Sequence, residues 1–218
     1  DAYGVPTVNA PETAAVCADK VRCSLALAGA GAPTPRTETA FTVESAMESI
    51  ERFGYPCVLK PVIGSWGRLM AKIDSKSAAE AVLEHKATLG HYEHKVFYVQ
   101  EFVEKPGRDI RVVAADGEPV AAMTRSSDHW LTNAAQGSSV KEFEVTPEVA
   151  ALVETASAAV GGGLLGVDLM ETGDSYTVHE VNHTVEFKAL DSCTDVDVAG
   201  AAVDWLEGRA SATTEVSP

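Results

Sequence analysis

Residues 164–188 read Leu-Leu-Gly-Val-Asp-Leu-Met-Glu-Thr-Gly-Asp-Ser-Tyr-Thr-Val-His-Glu-Val-Asn-His-Thr-Val-Glu-Phe-Lys. Two apolar runs, Leu164 to Met170 and Tyr176 to Val181, flank Thr172-Gly173-Asp174, which predicts a β-hairpin. Asp168 interrupts an otherwise apolar strand, and a carboxylate buried there without a partner is costly. Glu180 and Asn182 stand two apart on the next strand and therefore share a face. Three oxygen-bearing side chains on adjacent strands suit Mg2+, which favours carboxylates together with substrate phosphates. A solvated sheet face carrying carboxylates by chance would show the same spacing. For Asp168 and Glu180 to meet, the hairpin needs an odd-numbered loop or a bulge between Met170 and Tyr176, because a two- or four-residue loop turns them to opposite faces. On this reading Asp168→Ala abolishes turnover and leaves the fold largely intact, since it removes a ligand rather than core volume.

Further upstream, Cys57-Val58-Leu59-Lys60 reads as a strand cut off by Pro61, followed by the glycine loop Gly64-Ser65-Trp66-Gly67-Arg68. A lysine at a strand end beside such a loop can meet a phosphate, with backbone N–H groups free to approach its oxygens. The loop lacks the Gly-Lys-Ser/Thr ending of a P-loop, and a plain flexible hairpin would look similar. Lys20, Arg111 and Arg125 punctuate stretches otherwise poor in positive charge. Arg111 alternates with apolar neighbours, so it faces either a polar surface or an anion. Val99-Gln100-Glu101-Phe102-Val103 joins two halves of the chain and could seat an adenine on backbone edges.

The remaining elements follow from local signals. Pro11-Glu12 opens a helical stretch to Ala28, with a break near Asp19 and an end at Gly29 and Gly31. Thr42 caps a helix from Val43 to Phe53, stopped at Gly54. A strand spans Leu69 to Ile73, and Ser77 and Glu80 have capping-box spacing for a helix reaching Leu89. Val96 to Val103 is a strand, and Asp109 to Ala115 and Val120 to Thr124 flank the hairpin signal Asp116-Gly117. Residues 126–142 are polar, irregular and long enough to be a functional loop. Thr146-Pro147-Glu148 starts a helix to about Val160. Thr194 caps a last helix with the stripe Val196, Ala199, Val203 and Leu206, and the tail after Gly208 reads as disordered. Strands and helices do not alternate regularly, which predicts antiparallel sheets with helices to one side, an α+β architecture. A break near residues 95–100 yields two lobes.

Composition sets the outer bounds. The chain of 218 residues is 45% apolar, ordinary for a globular protein, and has no run near the roughly 20 residues of a membrane helix. Asp1 to Asn9 carry neither the basic start nor the apolar stretch of a signal peptide. The chain opens on Asp1 rather than Met, which reads as a fragment missing an N-terminal part. Its four cysteines form no Cys-x-x-Cys pair and sit among apolar or small residues, which argues against zinc and for a reduced, cytoplasmic compartment. A net charge of −15 argues against nucleic acid as a partner and fits a halophilic source, where acidic surfaces stay soluble in concentrated salt.

Together these residues resemble the ATP-grasp ligases. Within them they look like RimK-like ligases of the LysX type, which act on an amino-group carrier protein in lysine biosynthesis, and their arginine-pathway siblings. The likeness runs from about residue 5 to 207. It is most specific at 64–68, at Gly107-Arg108-Asp109-Ile110-Arg111 and at 180–188. It implies an ATP-grasp fold: a remnant of the N-terminal domain at 1–10, a central lid lobe at 11–98, a C-terminal catalytic lobe at 99–207 and a tail at 208–218. It implies that Lys20 and Lys60 bind ATP phosphates under a mobile lid, Gly64 to Met70, that includes Ser65, Trp66, Gly67 and Arg68. Gln100, Glu101, Phe102 and Val103 would form the adenine hinge, with Asp109 and Arg111 also at the nucleotide and Asn133 at the phosphates. Arg111 and Arg125 would serve catalysis, Arg125 meeting the substrate. Asp168, Glu180 and Asn182 would hold Mg2+, as two ions replaceable by Mn2+. His183, Thr184, Glu186, Phe187 and Lys188 would line the amino-acid site. The implied partners are a small acidic carrier protein, α-aminoadipate or glutamate, and further copies of the chain in a homo-oligomer, without nucleic acid or membrane. One departure stands out: basic family positions read Leu131 and Gln136-Gly137-Ser138 here.

Overall fold

The computed structural model describes residues 7–64, 68–90, 95–132 and 138–214, the side chains of 212–214 excepted. Two antiparallel sheets carry the fold. The first has the order β1-β4-β2-β3, built from β1 (Thr37–Ala40), β2 (Cys57–Lys60), β3 (Ala71–Ile73) and β4 (Phe97–Glu101). Alternation along β2 sends Cys57 and Leu59 into a core with Ile73, Phe97 and Val99. That leaves Val58 and Lys60 on the opposite face, toward the second sheet. The core face is covered by α3 (Val43–Phe53) and α4 (Lys76–Leu89), which bury Ala46, Ile50, Ala79 and Leu83. Thr42 caps α3 by accepting from the Ser45 N–H, and Gly54 closes it at φ 80°, as the sequence predicts. Helix α4 starts earlier than its Ser77–Glu80 spacing implies, because Ser75 Oγ takes the cap by accepting from Ala78 N.

The second sheet has the order β7-β6-β5-β8-β9, from β5 (Arg108–Ala115), β6 (Glu118–Ser126), β7 (Ser139–Glu142), β8 (Leu164–Thr172) and β9 (Ser175–Asn182). Asp116 and Gly117, both at positive φ, turn β5 into β6, as the Asp-Gly signal requires. Residues 139–142 of the segment expected to be irregular add the edge strand β7. One face presents Ile110, Val112, Leu165, Val167, Leu169, Val178 and Val181 to a core shared with three helices. These are α1 (Pro11–Ala18), α2 (Lys20–Gly29) and α5 (Pro147–Val160), contributing residues such as Cys17, Cys23, Leu27, Val153 and Val160. Helices α1 and α2, which the sequence groups with 11–98, thus pack on the second sheet. Apolar periodicity shows that a helix face is buried but not against which sheet.

The other face divides in two. At one end Val113, Ala121 and Met123 are covered by Leu190 of α6 (Lys188–Asp191) and Val198 of α7 (Val198–Thr214), so helices flank this sheet on both sides rather than one. The expected stripe on α7 is wrong: Val203 is 51% exposed and Leu206 38%, while Val198 and Ala202 are buried. The chain past Gly208 is helical to Thr214 rather than disordered. Its outer turns are anchored because Trp205 Nε1 (3.2 Å) and Arg209 Nη1 (2.5 Å) donate to the Asp116 carboxylate.

The other end of that face is polar and belongs to the cleft. Helix α2 feeds it, since Asp19 breaks α1 from α2 and accepts from the N–H groups of Val21 and Arg22, leaving Lys20 as the first residue of α2. Asp19→Ala is expected to cost about 1 kcal/mol of stability by removing this cap. The midpoint of denaturant unfolding measures it, and an unchanged midpoint would show that the cap contributes nothing.

Candidate functional site

The β8–β9 register decides which side chains meet. Gly173 and Asp174 form a two-residue turn, and Thr172, Glu171, Met170 and Leu169 pair with Ser175, Tyr176, Thr177 and Val178. Continued unchanged, this register would set Asp168 opposite His179 and turn Glu180 to the other face. Instead it shifts between Asp168 and Leu169, so that Asp168 pairs with Glu180 and Gly166 with Asn182. His179 is the extra residue of a bulge. The loop is even and the bulge lies beyond Tyr176, not between Met170 and Tyr176 as expected. The consequence is nevertheless the required one: Asp168, Glu180 and Asn182 share a face, and Asn182 Nδ2 lies 3.3 Å from Asp168 Oδ2.

Asp168 is the centre of a buried chain of charges. Arg111 binds both its oxygens, Nε at 2.5 Å and Nη2 at 2.8 Å. Arg125 Nη2 reaches it at 3.0 Å while Nε donates to Asp109 at 2.6 Å. Asp109 in turn accepts from Thr132 Oγ1 and lies 3.6 Å from Lys105 Nζ, which also donates to Thr132 at 2.6 Å. Burial alone would raise the Asp168 pKa, but Arg111 and Arg125 overcome it and hold the carboxyl below its usual range. Arg125 stays charged despite burial, with Asp168 and Asp109 pushing its pKa upward.

Two lysines enter from other elements. Lys20 Nζ donates to the Gly64 carbonyl at 2.6 Å and lies 3.6 Å from Glu180 Oε1. Lys60, 2% exposed at the end of β2, meets His179 Nε2 at 3.0 Å. Burial pulls the Lys60 ammonium down to about 7, only partly opposed by Glu180. His179 is held neutral, chiefly by burial and then by Lys60. In this network Lys20, Lys60, Lys105, Arg111 and Arg125 outnumber Asp109, Asp168 and Glu180. A chain of net charge −15 thus concentrates positive charge at one place, which suits a polyanion.

These groups line a cleft of about 400 Å3 between the sheets. From the first sheet and its connections come Lys60, Gly64, Arg68, Gln100, Glu101, Phe102 and Val103. From the second come Asp109, Arg111, Arg125, Asp168, Glu180 and Asn182, with His183, Thr184 and Glu186 at its rim. The Glu101 carboxylate is taken by Arg36 at 2.7 Å, so the hinge presents its backbone rather than this charge. Ser65, Trp66, Gly67, Asn133, Gln136 and Gly137 lie outside the described residues. Phe187 and Lys188 do not line the cleft: Phe187 packs against the cluster holding Leu190 and Val198, and Lys188 opens α6, exposed. Leu131 lines the cleft beside Trp130, giving an apolar wall where a base is expected.

Lys105, Thr132 and His179 have no place in the sequence-level site. Lys105 carries a faint signal, a lysine four residues before Asp109 in a chain with only 17 basic residues. His179 carries none, because a site built on Glu180 and Asn182 assigns it by alternation to the other face, and only a bulge lets both His179 and Glu180 reach the cleft.

Among the described residues no three His, Cys, Asp or Glu side chains cluster to hold a metal. Asp168 and Glu180 with the amide of Asn182 nevertheless form a hard-oxygen set that fits Mg2+ shared with phosphates. Asn182 would turn its oxygen inward, and the guanidinium groups would share Asp168 with the ion. Cys17 also lines the cleft, but burial pushes its thiol up to about 12, which removes it as a nucleophile. All four cysteines are free. No helix of the described residues is long and apolar enough to cross a membrane.

Comparison with known proteins agrees with this geometry. The profile of the RimK-like ATP-grasp domain matches residues 17–206. An alpha-aminoadipate–LysW ligase LysX of Saccharolobus solfataricus is 37% identical over 210 residues, covering 94% of this chain and 76% of the relative. A glutamate–LysW ligase ArgX of Sulfolobus acidocaldarius is 31% identical, covering 96% and 75%. A crystal structure of a RimK domain ATP-grasp protein from Sphaerobacter thermophilus superposes with a TM-score of 0.78 at 30% identity, covering 94% of this chain and 73% of that one.

Proposed function

This chain belongs to the RimK-like ATP-grasp family, and from that premise we propose that it is a carboxylate–amine ligase acting on a carrier protein. In this proposal the γ-phosphate of ATP passes to the C-terminal Glu carboxylate of the carrier, giving an acyl phosphate and ADP. The amine of α-aminoadipate or glutamate then attacks the acyl carbon, an amide forms and phosphate leaves. The observation that carries the reading is the bulge at His179, which sets Asp168, Glu180 and Asn182 on one face beside Lys20 and Lys60.

The protein's work is positioning and charge neutralisation, with no covalent step on the enzyme. Lys20 and Lys60 bind the phosphates, beside Gly64, Arg68 and Met70, which line the same cleft. The strand end 100–103 receives the adenine. Asp109 acts at the nucleotide through Arg125, which together with Arg111 steadies the charge that develops on the transferred group. His183, Thr184 and Glu186 face the incoming amino acid. Mg2+ on Asp168, Glu180 and Asn182, as two ions or with Mn2+ in its place, supplies further neutralisation of the phosphate oxygens. A reducing cytoplasmic setting, supported by four free cysteines, a salt-rich source, supported by the −15 charge, and a homo-oligomeric state complete the proposal.

Adding ATP and Mg2+ to the chain is expected to release ADP only when both carrier protein and amino acid are present. Comparing α-aminoadipate with glutamate assigns the pathway. ADP release indifferent to carrier and to both amino acids would overturn the reading.

A further inference from the structure

Asn9 stands just ahead of α1, in a stretch that the sequence reads as a remnant, yet it is tied to residues more than a hundred positions away. Its side-chain nitrogen donates to the carbonyls of Leu164 at 2.8 Å and His183 at 2.7 Å, and its oxygen accepts from Leu164 N at 2.7 Å. Both donors and the acceptor are used. The partners therefore fix the amide's orientation, because a flipped group would set its oxygen against two carbonyls. The neighbouring chain leaves room for it: a Cβ on Gly163 would lie 2.0 Å from Asn9 Oδ1.

The two ends of this clamp are not arbitrary. Leu164 begins β8, the strand that carries Asp168. His183 follows Asn182 directly and opens the 183–188 loop, which gives His183, Thr184 and Glu186 to the cleft. From Asn9 the chain runs through α1 to Lys20, which reaches Gly64 and Glu180. One stretch of twelve residues thus holds the loop at one end and, at the other, the lysine that reaches Gly64 and Glu180.

We propose that Asn9 is a positioning residue that fixes where the 183–188 loop leaves β9, and with it the place of the amino-acid substrate. The inference rests on the reading of that loop as the amino-acid site. Asn9 touches no substrate; it acts through the His183 carbonyl, and a displacement of about 1 Å at a reacting group is worth up to roughly 100-fold in rate.

Asn9→Asp keeps the shape and the acceptor but loses both donors. It is expected to raise KM for the amino acid about 10-fold or more and to leave KM for ATP within about 2-fold. Amide hydrogen exchange, measured peptide by peptide, is expected to quicken at 183–188 and not in β5 or β6. If Asn9→Asp does not fold, Asn9→Ala is read in the same way. Unchanged exchange at 183–188 would overturn the proposal, as would an equal rise in both KM values with a general loss of protection. If the unsubstituted chain forms no amide with either amino acid, the functional reading fails, and the exchange measurement alone decides whether Asn9 positions the loop.

Discussion

Asp168→Ala is expected to lower turnover by about 1,000-fold or more, above the roughly 10–100-fold typical of losing a group that only orients a ligand. The same substitution is expected to destabilise the protein by about 3–5 kcal/mol, the usual cost of breaking a buried ion pair from one side. The sequence alone predicts an intact fold, because it shows a ligand and no core volume. The structure changes that expectation: without Asp168, Arg111 loses both of its bonds there, and Arg125, 4% exposed, keeps only Asp109. Asp168→Asn should separate the two effects, since the amide retains one acceptor for the guanidinium groups but lacks the charge that Mg2+ requires. It should therefore unfold closer to the unsubstituted protein and still be inactive. ADP release at saturating Mg2+ and the denaturant midpoint measure the two quantities. Turnover of Asp168→Ala within about 10-fold of normal would remove this residue from the metal site and leave Glu180 and Asn182 without a partner there.

What the sequence discloses is what chemistry imposes over a few residues. Thr42 and Gly54 bound α3, Thr146 and Pro147 open α5, and Asp116-Gly117 turns β5 into β6, because each signal acts within one turn of chain. The candidate site is legible to the same degree: Asp168 in an apolar strand demands partners, and Glu180 and Asn182 share a face by alternation. What is not legible depends on pairing between distant segments. The partners of Asp168 turn out to be Arg111 and Arg125, 57 and 43 residues away. The bulge that brings Glu180 around leaves no mark in composition, and an even turn with a bulge is equivalent in outcome to an odd turn. Helix α7 runs past Gly208 because Trp205 and Arg209 find Asp116 on another element, which local propensity does not register.

Lys60→Met is expected to move binding and stability in opposite directions. Lys60 is 2% exposed and its ammonium falls from 10.5 to about 7, with burial the main cause. The folded protein therefore binds fewer protons than the unfolded chain between pH 7 and 10.5. Its stability should rise with pH across that window, and the full penalty should apply at and below pH 7. At about 1.4 kcal/mol per pKa unit the penalty is several kcal/mol, reduced by the bond to His179, which is worth about 1 kcal/mol. Methionine fills a similar volume without charge, so the substituted protein should be more stable by about 1–3 kcal/mol near pH 7 and should lose the pH slope. An anion arriving beside Lys60 would offset this penalty by favouring the charged ammonium. ATP affinity should accordingly fall about 10–100-fold, the worth of a charge-assisted bond. At pH 8 the unsubstituted protein should take up a proton as the phosphates restore the Lys60 charge, and Lys60→Met should not. Calorimetric titration in two buffers of different ionisation enthalpy reads that uptake directly. Equal ATP affinity and equal proton uptake in both proteins would place the phosphates elsewhere in the cleft.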